Sequence, residues 1–350
     1  MNPAGPPTAF DSLNVAGVPT MGMAGIPPTT GCVFFVNPVG GSAGNTGVAD
    51  NPFQSLYWAH ANCVDGRGDV VVLVGNGQSS GTARLSLAAA QAVNAAATSG
   101  VLNWTKNNTH LVGLGAPTMV GQRARIAPPT GTYTQATFGS GNFVVVTGSG
   151  CLFQNISLFH GFSTGGVNQI CWTDNGSRNA YLGVDFGGMG DAASAADAGS
   201  RSLKIGLAGS GENTFRGCNI GLDTVARGVA NANLEFAGGT PRNSFFDCNF
   251  PMDASAATVL SILCTGASAI DRWQRFDNAL FLNAMSSGAT AQTQIASMTS
   301  ASPGGYLAMN NCGFVGNAST NWGDTNALAN MYVLGATPLT ASNGIMVTPS

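Results

Sequence analysis

Apolar positions in the second half of the chain recur in a fixed three-point spacing. A large apolar residue is followed by a small or apolar one three positions on and another two beyond. The spacing is clearest where Asn213-Thr214-Phe215-Arg216-Gly217-Cys218-Asn219-Ile220 returns thirty residues later as Asn243-Ser244-Phe245-Phe246-Asp247-Cys248-Asn249-Phe250. It also fits Phe153/Ile156/Leu158, Tyr181/Val184/Phe186, Phe276/Ala279/Phe281 and Met309/Cys312/Phe314, with first positions 28, 34, 30, 31 and 33 residues apart. The last two positions of each set are i and i+2, which predicts that they share one face of a strand. The residues between sets are mostly Gly, Asn, Asp and Ser, which form turns. A strand that returns at this period, with turns rather than amphipathic helices between, predicts an all-β fold. That fold is a single-stranded right-handed parallel β-helix whose coils each bury an inward row against their neighbours. A β-sandwich would instead give turn signals about every 8–12 residues.

Upstream the pattern changes. Residues 1–31 hold six of the sixteen prolines and a single charge, Asp11. Pro-Pro at 6–7 and 27–28 favours extended backbone. This segment is expected to be an arm that docks on a neighbouring subunit through Leu13, Val15, Val18, Met21, Met23 and Ile26. From Cys32 to Gly77 the chain reads as a capping coil: strand Val33–Val36, a Gly-rich loop, a helix from Ser55 to Cys63, the turn Asp65-Gly66-Arg67-Gly68-Asp69 and strand Val70–Val74. Residues 78–140 are expected to be early coils containing a helix at 85–99, read from its alanine content and the stop at Gly100. Regular coils follow over 141–330, and residues 331–350 form a closing segment.

Composition narrows the class. Only 8% of residues are charged, against about 25% in a typical soluble domain. Two of the 16 acids are Glu (Glu212, Glu235) and two of the 13 bases are Lys (Lys106, Lys204). Such a surface suits packing against other proteins better than life as a free monomer. The net charge of -3 and the lack of basic runs predict no nucleic-acid binding. No apolar stretch reaches membrane-spanning length, and the N-terminus lacks the charged and apolar regions of a secretion signal. Cys218, Cys248 and Cys312 fall in one repeat slot and are expected to be buried thiols. No Cys/His spacing supports zinc, and no cofactor or metal is expected.

Residues 32–77 resemble the opening coil of pectate-lyase-like β-helix proteins. The run Cys218 to Phe236, with Arg242-Asn243-Ser244-Phe245-Phe246-Asp247-Cys248 and Ala269-Ile270-Asp271-Arg272-Trp273, resembles β-helix virion proteins of tailed bacteriophages, as does Leu13-Asn14-Val15-Ala16-Gly17-Val18-Pro19-Thr20. The resemblance implies a structural virion protein of the head-decoration (cement) type, made in the host cytoplasm and placed on the capsid surface. It implies the major capsid protein and further copies of the chain, as a homotrimer, as partners, and neither nucleic acid nor membrane.

Catalysis is read as absent. The His-Gly at 160–161 precedes the acidic echo Thr173-Asp174, and there is no Asp-Asp pair and no Arg-x-Lys, so polygalacturonase-like motifs fail in order and content. No local carboxylate cluster suits a calcium-dependent lyase. The alternative is a tailspike or tail-associated depolymerase, which needs two carboxylates about 5–10 Å apart. Its candidates are Asp247 and Asp277, read as occupying equivalent turns of adjacent coils about 4.8 Å apart. The plainer account is that each accepts turn amides, as Asn219, Asn249, Asn278 and Asn311 are also expected to do. The five tryptophans are expected to fill coil ends and interfaces.

Overall fold

The computed structural model describes residues 29–74 (less 30, 39 and 43), 102–115, 124–127, 142–160, 170–189, 195–206, 209–283 and 290–334 (less 291). It also describes the strands Asn14–Val15, Val18–Pro19 and Leu85–Ser86. Three parallel sheets of ten, nine and eight strands run the length of the described chain. Each full coil gives one strand to each sheet, except one that gives two to the second. One coil, for example, runs Leu152–Gln154, Ser157–His160, Ile170–Asp174, and the next runs Ala180–Leu182, Asp185–Met189, Arg201–Ile205. The expected all-β parallel β-helix is the fold.

The first position of the repeat forms the inward row of the first sheet. Phe153, Tyr181, Phe215, Phe245, Phe276 and Met309 sit in direct register, all fully buried. Their rings stack at 4.5–5.0 Å and within 11° of parallel from Phe153 to Phe276. Such contacts add to the area each ring buries. The third position forms the inward row of the second sheet, Leu158, Phe186 and Ile220 among them. The second position differs from its expectation. Ile156, Val184, Cys218, Cys248, Ala279 and Cys312 lie just before the second-sheet strands, so the three-point spacing marks a corner between two sheets. At this corner Cys218, Cys248 and Cys312 donate their thiols to carbonyls of the previous coil at 3.4–3.6 Å. These cysteines are free and buried.

The corner has a backbone cause. The residue two after each first-sheet apolar position is left-handed: Asn155, Gly183, Gly217, Asp247, Asn278 and Asn311 have φ between 50° and 59°. Only Gly, Asn and Asp take that conformation at small cost. On the other side of the first sheet, two residues before each of these apolar positions, buried amides form a second ladder. Backbone amides of Cys151, Asn179, Asn213 and Asn243 donate to the side-chain oxygens of Asn179, Asn213, Asn243 and Gln274, each one coil further on. These four backbone donors are therefore satisfied by side chains.

Both ends of the solenoid carry a helix. Helix α1 (Leu56–Asn62) starts at Ser55, whose hydroxyl accepts from Trp58 N, and buries Leu56 and Ala59. Lys106 Nζ donates to the carbonyls of His60, Ala61 and Cys63 at its C-terminal end, where a cation is favoured. Helix α2 (Thr325–Ala329) is capped by Asp324, which accepts from Ala327 N at 2.8 Å. Met331–Leu334 is the last strand of the first sheet.

One upstream expectation changes. The helix expected at 85–99 begins instead as strand Leu85–Ser86, paired in parallel with Arg125–Ala127. There the sheet ladder outweighs alanine propensity, and residues 87–99 lie outside the described residues. Within the expected arm, Asn14–Val15 and Val18–Pro19 pair antiparallel. The remaining arm residues, and the side chains of Leu13, Val15, Val18, Met21, Met23 and Ile26, lie outside the described residues.

Candidate functional site

The outer face of the second sheet carries one side chain per coil at a constant register position. Arg125, Ser157, Asp185, Asn219 and Asn249 align in that order. Each follows the first apolar residue of its repeat by four, wherever the repeat is present. Coil spacing places them roughly 4.8 Å apart along the solenoid. Asp185 is 7% exposed. Its two carboxylate oxygens accept from Ser157 Oγ at 2.9 Å and Asn219 Nδ2 at 3.0 Å, so the row is tied across three coils.

A wall converts this row into a groove. After the short strand Asn219–Ile220 the chain does not leave the sheet. It continues as Leu222–Arg227, which pairs with Asn249–Ala254 through a register shift between Leu222 and Ala226. Gly221 makes the step possible. Its φ is +130°, and a Cβ there would stand 2.1 Å from Pro251 O. The resulting concavity encloses about 320 Å³, lined by the polar row on its floor and by Leu222, Asp223, Thr224, Pro251 and Leu282. That volume lies at the lower end of small-ligand sites. The groove offers carboxylate, hydroxyl, amide and guanidinium groups over an apolar flank, which suits a hydroxyl-rich ligand lying along the solenoid axis.

The sequence-derived pair Asp247 and Asp277 lies elsewhere, and the two are not in equivalent positions. Phe246 is the register partner of Asp277, and Asp247 takes the left-handed slot that Asn278 takes one coil on. Asp247 is half exposed, lies 4.0 Å from Arg216 Nη1 and accepts from Asn278 Nδ2 at 3.1 Å. Asp277 is nearly buried and pairs with Arg275 at 2.6 Å. Arg216 and Arg275 lie over the Phe246 ring at 4.9 and 5.4 Å, an arrangement worth about 0.5–1 kcal/mol per contact at an exposed site. Asp271 and Arg272 form a further exposed ion pair at 3.5 Å. The four asparagines expected to act alike divide into two rows. Asn278 and Asn311 bond to each other on the corner ridge, whereas Asn219 and Asn249 belong to the groove floor.

Other titratable groups are committed to structure. Asp174, fully buried, accepts from Tyr181 Oη at 2.7 Å, Gly176 N at 2.8 Å and Asn179 Nδ2 at 3.2 Å. Burial pushes its carboxyl up to about 7, but no substrate reaches it. Burial, aided by Lys106, pulls His60 down to about 4, and its Nε2 accepts from Thr105 N. His110 Nδ1 accepts from Leu152 N. Trp104, Trp172 and Trp322 are core residues with no exposure, so three of the five tryptophans pack inside the coils rather than at interfaces. No group of three or more potential metal ligands occurs among the described residues, and no helix there is long and apolar enough to cross a membrane.

No family model matches the chain. No curated protein matches it either. Among solved structures it is similar to a pectin methylesterase from Aspergillus niger, at 12% identity and a TM-score of 0.47, over 90% of this chain and 93% of that one. It is similar to a rhamnogalacturonan lyase at 12% identity and a TM-score of 0.42, over 87% of each chain. It is also similar to ORF18 of Geobacillus virus E2, at 12% identity and a TM-score of 0.35, over 83% of this chain and 59% of that one. These likenesses correct the expectation that the chain is not an enzyme. Two of the three are enzymes by name, and the same scaffold carries catalytic and other functions alike, so missing motifs are no ground for excluding catalysis. These likenesses speak for the parallel β-helix fold alone.

Proposed function

We propose that this chain is a structural component of a tailed-phage particle, held at the capsid surface as a homo-oligomer by the outer face of its last coils. One observation carries the reading. Nine large apolar side chains are exposed among the described residues, and three of them, Tyr306, Tyr332 and Leu334, lie together on the last two strands of the first sheet. Tyr306 and Tyr332 touch edge to face at 5.2 Å, and Tyr306 is in register with Trp273. Clustered exposed apolar residues mark interaction surfaces, whereas scattered ones do not. The resemblance of residues 218–273 to phage virion proteins gives the assembly its kind, with the major capsid protein as partner. Contacts made only in the assembled shell stabilise it by mass action.

The test is incorporation. Tyr306→Asp with Tyr332→Asp is expected to leave the melting temperature of the purified chain within about 2 °C, while the copies carried per particle, counted by cryo-electron microscopy, fall at least tenfold. A double variant that incorporates at the normal level overturns the reading.

A second reading rests on the groove: its floor and apolar flank take a polysaccharide segment. Host surface polysaccharide titrated against the chain is expected to bind, and Asn249→Trp to abolish binding by filling the groove. Equal binding by that variant removes this reading and leaves the first untouched.

A further inference from the structure

Where the Leu222–Arg227 strand ends, the chain buries a positive charge. Arg227 has no exposure. Its Nη1 donates to Asn233 Oδ1, and Asn233 Nδ2 donates to Pro251 O at 3.1 Å. Nε and Nη2 of Arg227 have no partner. Ser261, the register neighbour of Asn233 on the next strand, also has a buried hydroxyl without a partner. The charge acting on Arg227 has the same sign. It comes from Arg201, and with burial it pulls the guanidinium down to about 9. Glu235 on the third sheet pairs with Arg201 at 2.7 Å and with Lys204 at 3.5 Å, and Asp253, on the strand paired with Leu222–Arg227, stands in register with Ala226.

An isolated buried cation costs several kcal/mol unless an opposite charge and hydrogen-bond partners accompany it. Water satisfies donors but supplies no charge. A guanidinium keeps its proton even at the lowered value, so neutralisation is not a way out at neutral pH. We propose that Arg227 Nε and Nη2 hold one small monovalent anion of the chloride type inside the corner between the second and third sheets. The complete enclosure selects for size, because an anion with an exposed face would leave Arg227 accessible. The ion would also anchor the end of the strand whose beginning walls the groove. The inference rests on neither reading of function.

The test uses the whole purified chain. At fixed ionic strength, sodium chloride is exchanged for sodium gluconate and thermal unfolding is followed. The wild-type melting temperature is expected to rise with the logarithm of chloride concentration, as binding to the native state alone requires. Arg227→Met keeps the bulk without the charge and is expected to melt at the same temperature in both salts. Crystals soaked in sodium bromide are expected to show an anomalous peak within hydrogen-bond distance of Nε and Nη2. No bromide peak there overturns the proposal, as does a chloride dependence that persists in Arg227→Met. If that variant fails to fold, the bromide peak in the wild-type chain decides alone.

Discussion

The outer faces of the second and first sheets are built on the same coils and differ in kind. The second sheet is concave over Arg125 to Asn249, with one polar side chain per coil bonded to the next. The first sheet, at its C-terminal coils, exposes Tyr306, Tyr332 and Leu334 and pairs its ions locally around Phe246. The inward rows do not make this difference, since both sheets stack large apolar residues in register. It comes from one insertion: Leu222–Arg227 stays in the sheet and raises a wall on one side, while among the described residues no extra strand joins the other sheet. In a solenoid, each coil answers mainly to its neighbours, so a local insertion changes a face without disturbing the core. The comparison separates changes that break the wall, the floor, the shared core and the ridge between the faces.

The largest effect is expected from Gly221→Ala. The new Cβ would meet Pro251 O at 2.1 Å and Asn233 Nδ2 at 2.5 Å, in a conformation that L-residues rarely adopt. Strain of this sort costs about 1–3 kcal/mol before the clash is counted, so a loss of about 3 kcal/mol or more is expected in urea unfolding. The groove would lose its wall, while the first-sheet face keeps its function. Incorporation that falls together with groove binding would show that the two faces are one surface.

Next comes the floor. Asp185→Ala leaves Ser157 Oγ and Asn219 Nδ2, both nearly buried, without their shared acceptor. Orphaning buried donors costs about 1–3 kcal/mol. Asp185→Asn keeps an acceptor and is expected to recover at least half of the loss. If Asp185→Ala proves as stable as wild type, the row is not a bonded unit and the groove floor is only a list of neighbours.

The shared core holds one titration. Asp174 has its folded-state value raised by burial, to about 7 from an ordinary 3.8. Between those values the native state holds a proton that the unfolded state has released, so this group makes stability fall as pH rises through the window and adds no slope above about 7. His60, lowered to about 4, acts in the opposite sense between about 4 and 6.5, where the unfolded state holds more protons. Asp174→Asn removes only the first contribution. Its stability is therefore expected to climb more steeply than wild type from pH 4.5 to 6.5, by an amount on the order of 2 kcal/mol over that range. Identical slopes in the two proteins would show that Asp174 ionises normally.

The inward rows were legible in the sequence because burial demands the same residue class at the same place in every coil, and Phe153, Tyr181, Phe215, Phe245, Phe276 and Met309 obey. The corner slot carried a signal as plain: two residues after each of these stands Asn, Gly, Gly, Asp, Asn and Asn. Aligning on it sets Asp247 against Asn278 and separates it from Asp277. The groove was not legible. Ser157, Asp185, Asn219 and Asn249 share a position but not a residue type, since an outer face imposes no common chemistry. Arg125 precedes the clear repeats altogether. The wall was hidden because Leu222–Arg227 reads Leu-Asp-Thr-Val-Ala-Arg, without the period of two that marks a half-buried strand.

The smallest effect tests the ridge between the faces. Asp247 stands at φ 54° with its side chain about half exposed. If its place is set by backbone conformation, Asp247→Asn and Asp247→Gly are expected to change stability by no more than about 0.5 kcal/mol, because both residues accept the left-handed region, as Asn278 and Gly217 do at the same slot. Asp247→Ala is expected to cost about 1 kcal/mol, since a Cβ without a local hydrogen bond is penalised there. The order Gly, Asn, Asp above Ala in urea midpoint separates a conformational role from an electrostatic one. Were the carboxylate held for its charge beside Arg216, Asn and Gly would lose as much as Ala, and salt would abolish the difference. The first order assigns Asp247 to the turn that joins the two sheets. The second would return it to the face where Arg216, Phe246 and Arg275 are stacked, and make that face chemically specific rather than merely apolar.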